Sequence, residues 1–293
     1  MKKTLLIAAA ALAAGVISTQ AQVYSQNVVG YVNTPLPAAH YQIIGSQMNN
    51  GSDAGATNGD ANVVLTGGTL VSTPSGTPQT TTNTQLIYWN GSGFGTFYYY
   101  NSNDASTMEG DAPGTDPAGW YDKNGNYQNG NLLLGGNHSA FMYNPFAGAI
   151  TVTCVGTVQQ GTNISTIKPG YNLICIQEPI GINSTNLVVD NVGNQNPYGL
   201  PLGMTSSPTG TPSLTSNDNL VYWNGSGFGT YFYYNSNDAS AMEGDAPGTD
   251  YAGFYDKNGN PFAGVVPVVP VNQGFFLYHN GAAINWTNSF TVQ

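Results

Sequence analysis

The chain has 293 residues, 40% of them hydrophobic, with five lysines, no arginine and fifteen carboxylates, for a formal net charge of −10. Without Lys2 and Lys3, which sit in a predicted leader, the balance is 3 − 15 = −12. So few cations cannot neutralise a phosphate backbone or draw the chain to anionic lipid, which excludes nucleic acid and leaves cations, neutral glycans and other protein surfaces as partners.

The chain opens with MKKTLLIAAAALAAGVISTQAQ, two lysines ahead of an apolar run from Leu5 to Ile17 and small residues up to Ala21. This pattern predicts a secretory signal at 1–21, and no later stretch has the roughly 20 apolar residues of a spanning helix. Gln22 to Asn33 is β-prone, Tyr41 to Ile44 is a short apolar strand, and Asn62 to Val71 is expected to form two short strands about a Gly-Gly turn. Gln85 to Trp89 and Phe94 to Tyr100, joined by Asn90-Gly91-Ser92-Gly93, carry the clearest hairpin signal. Ala140 to Tyr143 is a further strand. Ile150 to Val158 alternates Ile150, Val152 and Cys154 against Thr151, Thr153 and Val155, as a half-buried strand does.

The block from Leu86 to Asn126 returns at a constant offset of 134 residues, changed only at Ile87/Val221, Phe97/Tyr231, Tyr98/Phe232, Thr107/Ala241, Pro117/Tyr251 and Trp120/Phe254. Four of these swaps trade one large apolar or aromatic side chain for another, which keeps volume and face. With Gly, Asn, Ser, Thr and Tyr abundant, helix is disfavoured almost everywhere after the signal. The expectation is therefore all-β: two tandem β-sandwich or flattened-barrel repeats, 22–159 and 160–293, after a cleaved signal peptide.

Ten of the fifteen acids lie in the repeated block: Asp104, Glu109, Asp111, Asp116 and Asp122, then Asp238, Glu243, Asp245, Asp250 and Asp256. Closely spaced carboxylates among Asn and Gly turns offer the hard oxygens that Ca²⁺ takes. The alternative is a polar turn whose Asp and Asn side chains cap their own backbone. A hydrolase would use Glu109 and Asp111 as acid and base, but their spacing does not fix the separation such chemistry needs. Tyr98, Tyr99, Tyr100 and Trp120, with Tyr233 and Tyr234 in the second copy, are candidates for a sugar-stacking platform, set against a role in core and cross-strand packing. Cys154 and Cys175 are the only cysteines of a chain read as exported, which predicts a disulfide across the junction of the repeats, a closure of roughly 3 kcal/mol in chain entropy. No G-x-S-x-G, phosphate-cradling glycine loop or Cys/His nucleophile pair is present.

QNVVGYVN at Gln26 to Asn33, VGTVQQG at Val155 to Gly161, QGFFLY at Gln273 to Tyr278 and the closing NWTNSFTVQ resemble a family of uncharacterised secreted two-repeat β-proteins of Verrucomicrobia-type bacteria. The resemblance implies export, β structure and a surface or matrix setting, with no chemistry attached. The expected function is that of a non-catalytic extracellular structural subunit of a surface layer, matrix or filament, with glycan binding by the Tyr-rich hairpins as the alternative. Because Ile150 to Gln159 matches both the C-terminal strand and the start of the first repeat, it is expected to close one repeat and open the next. That pattern predicts head-to-tail self-association by strand addition.

Overall fold

The computed structural model describes residues 29–49, 59–65, 67–74, 82–135, 138–176, 203–208, 215–223, 225–250, 252–260 and 269–290. The predicted leader, the segment 22–28, the stretch 177–202 and the last three residues lie outside them.

Repeat one contains β1 (Val29–Leu36), β2 (Tyr41–Gly45), β3 (Met48–Asn49), helix α1 (Ala61–Val64), β4 (Gly67–Gly68), β5 (Gln85–Trp89), β6 (Phe94–Tyr100), helix α2 (Ser102–Glu109), β7 (Gly119–Tyr121), β8 (Ser139–Tyr143) and β9 (Ile150–Val158). Repeat two contains β10 (Gly161–Ile167), β11 (Gly170–Cys175), β12 (Asn219–Trp223), β13 (Phe228–Tyr234), helix α3 (Ser236–Glu243), β14 (Gly253–Tyr255), β15 (Gly274–His279) and β16 (Ile284–Phe290). In the first repeat β9 pairs antiparallel with β1, β3 and β4, and a five-stranded sheet runs β2-β8-β5-β6-β7. The second repeat has the pair β10-β16 and the matching sheet β11-β15-β12-β13-β14. The molecule is an antiparallel, sandwich-like all-β structure, and every strand pair of these sheets falls within 29–158 or within 161–290.

Alternation decides which face each strand buries. On β5 and β6, Leu86, Tyr88, Phe97 and Tyr99 point inward to a core shared with Leu36, Ile150, Val152 and Cys154 of the smaller sheet. The second repeat has the same arrangement, with Ile174, Leu220 and Leu277 against Ile167 and Trp286. The opposite face of each five-stranded sheet is divided. At one end α2 covers Tyr98, Tyr100 and Tyr121, and α3 covers Phe232, Tyr234 and Tyr255. At the other end the two sheets meet, burying Ile43, Leu173 and Phe276 between them.

Four expectations are corrected. The acidic block is not all loop: Asn101 accepts from the Asp104 amide at 2.9 Å while its amide side chain donates to Asp104 Oδ2 at 2.6 Å, a reciprocal cap that starts α2. Gly110, at φ 85°, ends that helix, and Asn235, Asp238 and Gly244 repeat the arrangement around α3. Asn62 to Val64, the start of the stretch Asn62 to Val71 expected as strand, lies instead in a single helical turn, Ala61–Val64, capped by Asp60.

The junction strand does not open the second repeat. β9 ends at Val158, β10 begins at Gly161 with φ 85°, and β10 takes β16 as β1 takes β9. Both terminal strands are therefore paired along one edge within their own repeats, β1 with β9 and β16 with β10.

The cysteines are not bridged. Cys154 lies on β9 with its Sγ 3.0 Å from Asn272 Nδ2. Cys175 lies on β11, in another sheet, with its Sγ facing the carbonyls of Ser46, Leu134 and His138 at 3.7–3.9 Å. Each sulfur is enclosed by its own set of neighbours, and burial pushes the Cys154 thiol up to about 11 against the opposing pull of Asn272 and Ser46.

Candidate functional site

Two places bring chemistry-bearing side chains together: the acidic turns behind α2 and α3, and an aromatic slot where the repeats meet. Each turn hangs from one buried serine. Ser106 Oγ accepts from the amides of Thr115 at 3.0 Å and Asp116 at 2.9 Å and donates to Ser102 O at 2.9 Å. Ser240 holds Thr249, Asp250 and Ser236 at the same distances.

This scaffold sorts the ten predicted acids. Asp104 and Asp238 cap their helices and accept from Ser72 and Ser206. Asp122 Oδ1 accepts from the amides of Asn124 at 2.8 Å and Asn126 at 2.9 Å, and Asp256 repeats this with Asn258 and Asn260. Although partial desolvation opposes it, donation from the Asn126 side chain, the Asn126 and Asn124 amides and nearby Lys123 hold Asp122 below the ordinary carboxylate range. Donation from Asn260 leads the same effect at Asp256. Asp122 and Asp256 are thus spent on their own turn backbone, whereas the Asp104 and Asp238 carboxylates accept from the side chains of Asn101 and Ser72, and of Asn235 and Ser206.

The other six converge in two triads, Glu109/Asp111/Asp116 and Glu243/Asp245/Asp250, each with one oxygen per residue within 4.8 Å of the others. Asp250 Oδ2 is buried and, among the described residues, meets no hydrogen-bond donor. Partial desolvation, then Asp250 and Asp245, raise the Glu243 carboxyl above its usual range. Burial and then the triad acids raise the Tyr121 and Tyr255 phenols. Three converging carboxylates suit a hard divalent cation, with water and backbone oxygens completing its shell.

The nominated sugar platform is corrected. Tyr98, Tyr100, Trp120, Tyr233 and Tyr234 are buried, and Tyr99 packs half-buried against the first core, edge-on to Trp120 at 5.7 Å. Alternation sends Tyr98 and Tyr100 under α2 and Tyr99 into the sandwich, so no row of rings faces solvent there.

On these hairpins the exposed rings are instead Phe94 and Phe228, at the turn end. Trp89 and Phe94 face each other across β5–β6 at 4.8 Å, and Trp223 and Phe228 across β12–β13 at 4.9 Å. The β5–β6 turn is tight: Asn90 Oδ1 accepts from Ser92 and Gly93 while Gly91 sits at φ 97°. Across the junction, Trp89 Nε1 donates to Tyr171 O at 3.2 Å and Trp223 Nε1 to Tyr41 O at 2.8 Å. The contact is reciprocal, an approximate two-fold built from one duplicated chain. Phe94 to Phe276 spans 6.4 Å at 89°, and its counterpart Phe228 to Phe141 spans 6.2 Å at 88°. Between these rings lies a slot of about 660 Å³. Only the hairpin pattern announced these residues, because the partner faces are 82 and 182 positions away in the chain.

Beside the slot the sheets approach closely. A Cβ on Gly45 would lie 2.4 Å from Cys175 Cβ, and one on Gly274 would lie 2.6 Å from Ser139 Cβ. Asn272 crosses from repeat two to donate to Thr34 Oγ1 at 3.2 Å while accepting from the Gly45 amide at 3.2 Å. No protein-family model, curated protein or solved structure matches the chain.

Proposed function

We propose that the protein is a non-catalytic extracellular structural subunit that assembles through a sheet edge, exported by its N-terminal leader and akin to the secreted two-repeat β-proteins it resembles. The observation that carries this reading is β1. It lies at the end of its sheet with β9 as its only strand partner among the described residues, it contains no charged residue, and Tyr31 projects from it 71% exposed. Natural edges are commonly blunted by charge or proline. Here only Pro35, near the end of the strand, does so. The reciprocal indole contacts support the reading further, because a subunit that bears load through a joint needs its two halves fixed.

Pairing of β1 with the second repeat of the next molecule is heterologous and propagates, whereas β1 against β1 stops at a dimer. Calcium at the two acidic triads would stiffen the subunit within this reading. Glycan binding by the Tyr-rich hairpins loses support, since the tyrosines that would stack on sugar are packed inside.

The test is Tyr31→Lys, which places a charge on the exposed edge. Full-length mature protein is expected to form linear assemblies by negative-stain microscopy and sedimentation, and the variant to remain monomeric with an unchanged melting curve. A wild-type chain that stays monomeric at high concentration, with and without calcium, would refute the proposal.

A further inference from the structure

We propose that the aromatic slot between the repeats is a binding site for one uncharged, flat, apolar molecule, aromatic or conjugated, that straddles the approximate two-fold. This is independent of the assembly proposed above.

The size is right for a small ligand: about 660 Å³, within the 300–1,000 Å³ or so of typical pockets. The lining contains no charged side chain, and Thr230 is the lone aliphatic hydroxyl in it. The two indole N–H groups that might serve a polar ligand already donate to Tyr171 O and Tyr41 O. A sugar would have only Thr230 and the phenols of Tyr41 and Tyr171 to receive its hydroxyls, and the rest would lie against ring and aliphatic carbon at a cost of roughly 1–3 kcal/mol for each left unpaired. A charged ligand would meet no counter-charge. What the slot does offer is ring faces and edges. Phe94 and Phe228 stand at its mouth, each 52% exposed, and Phe141 and Phe276 lie 5.9 Å apart behind them. Ring contacts of this kind favour stacked or edge-on partners.

Symmetry sets the stoichiometry. Because Trp89/Phe94 and Trp223/Phe228 are the two halves of one slot, a single ligand touches both, and each half contributes similarly. The exposed phenylalanines are an apolar cost to the free protein that an occupant removes.

The test is titration of the mature protein with Nile red, a neutral flat dye, following dye emission and quenching of the slot tryptophans. Saturable blue-shifted emission at one dye per chain is expected. Phe94→Ser and Phe228→Ser should each weaken binding by about tenfold, consistent with losing one ring contact and its buried area. Thr230→Trp, which fills the slot without removing a ring, should abolish binding and provides the reading if either serine variant fails to fold. Two dyes per chain, binding unchanged in Thr230→Trp, or no saturable binding would each overturn the proposal. So would displacement of the dye by neutral oligosaccharides, or a wild-type dimer that the serine variants dissolve, since the slot would then belong to a sugar or to a second copy.

Discussion

The two repeats use different chemistry at one matching place and identical chemistry at another. Where β5 begins and β8 ends, repeat one is closed by Thr84, which exchanges hydrogen bonds with Val71 N and O, and by Asn144, which donates to Leu36 O, Pro37 O and Gly148 O. At the matching positions repeat two has Asp218 and His279. Asp218 accepts from Thr205 N at 3.0 Å, Asn280 N at 2.7 Å and His279 Nδ1 at 2.7 Å, and His279 Nε2 meets Ala282 O at 2.6 Å. Both side chains are 1% exposed. The same loop carbonyls and amides need partners in each repeat, and a hydroxyl and an amide answer in one while a carboxylate and an imidazole answer in the other. Behind α2 and α3, by contrast, Ser106 and Ser240 keep the same bonds to the same backbone atoms. A hydroxyl that must accept two amides and donate to a carbonyl has few substitutes, whereas a buried gap bounded by carbonyls admits several.

The sharpest way to break this comparison is to truncate one partner in each repeat. His279→Ala leaves the buried Asp218 carboxylate without its imidazole partner and is expected to cost about 3–5 kcal/mol, against about 1–3 kcal/mol for Asn144→Ala. Installing the first repeat's pair, Asp218→Thr with His279→Asn, should recover most of the loss, because exchanging a buried ion pair for well-fitted neutral groups is commonly near neutral. Urea unfolding of the four proteins measures this. Equal costs for the two alanine variants would show that the carboxylate–imidazole pair is no more demanding than the hydroxyl and amide of the first repeat.

The junction provides the next effect. Gly45→Ala forces a methyl against Cys175 and should cost about 1–3 kcal/mol, while Gly45→Ala with Cys175→Gly, which moves the glycine to the opposite strand, should return most of it. A double-mutant cycle with no coupling would remove the close crossing as the basis of the joint. The serines then test the identical half of the comparison. Ser106→Ala and Ser240→Ala each strand two amides and should lower stability by similar amounts, about 1–3 kcal/mol each. A large difference between them would mean that the repeats are less alike there than their distances indicate.

How much of this was readable beforehand follows from how local each cause is. The hairpins, the alternation of β9 and the duplication were legible because period and turn chemistry reside in consecutive residues. The helix after Asn101 had a local signal too, Asn-Ser-Asn-Asp with Gly110 after one and a half further turns, but a composition poor in helix formers outweighed it. The fates of Tyr98, Tyr99 and Tyr100 needed the helix to be placed first. The cysteines were read from their compartment rather than from their neighbours, and Cys175 is buried because Gly45, far away in the chain, leaves room for it. Nothing in any single stretch shows that Trp89 reaches Tyr171 and Trp223 reaches Tyr41. Yet the repeat that supplies both halves was the clearest feature of the sequence, and a duplicated surface is the simplest route to a reciprocal contact.

The smallest expected effect concerns the acids that the serine scaffold leaves without backbone work. Glu243 holds its proton more tightly in the folded chain than in the unfolded one, owing to partial desolvation and then to Asp250 and Asp245. Its contribution to stability is therefore full below the ordinary carboxylate range and is lost as the pH rises through its raised value. Glu243→Gln removes that penalty, so the variant should melt higher than wild type at neutral pH, by no more than about 2 °C for a group so near solvent, and the difference should vanish near pH 3. A variant that melts lower than wild type at neutral pH in chelator contradicts this sign. Calcium sharpens the test. If the triads bind it, the wild-type melting temperature rises with calcium by mass action on the native state, and Glu243→Gln, short of one anionic oxygen, rises less, so the order of the two proteins reverses. Asp111→Asn with Asp245→Asn should remove the calcium response altogether. A wild-type curve identical in calcium and in chelator would end the calcium proposal while leaving the pH argument intact, since like charges crowded beside a buried carboxylate oxygen repel whether or not an ion ever joins them.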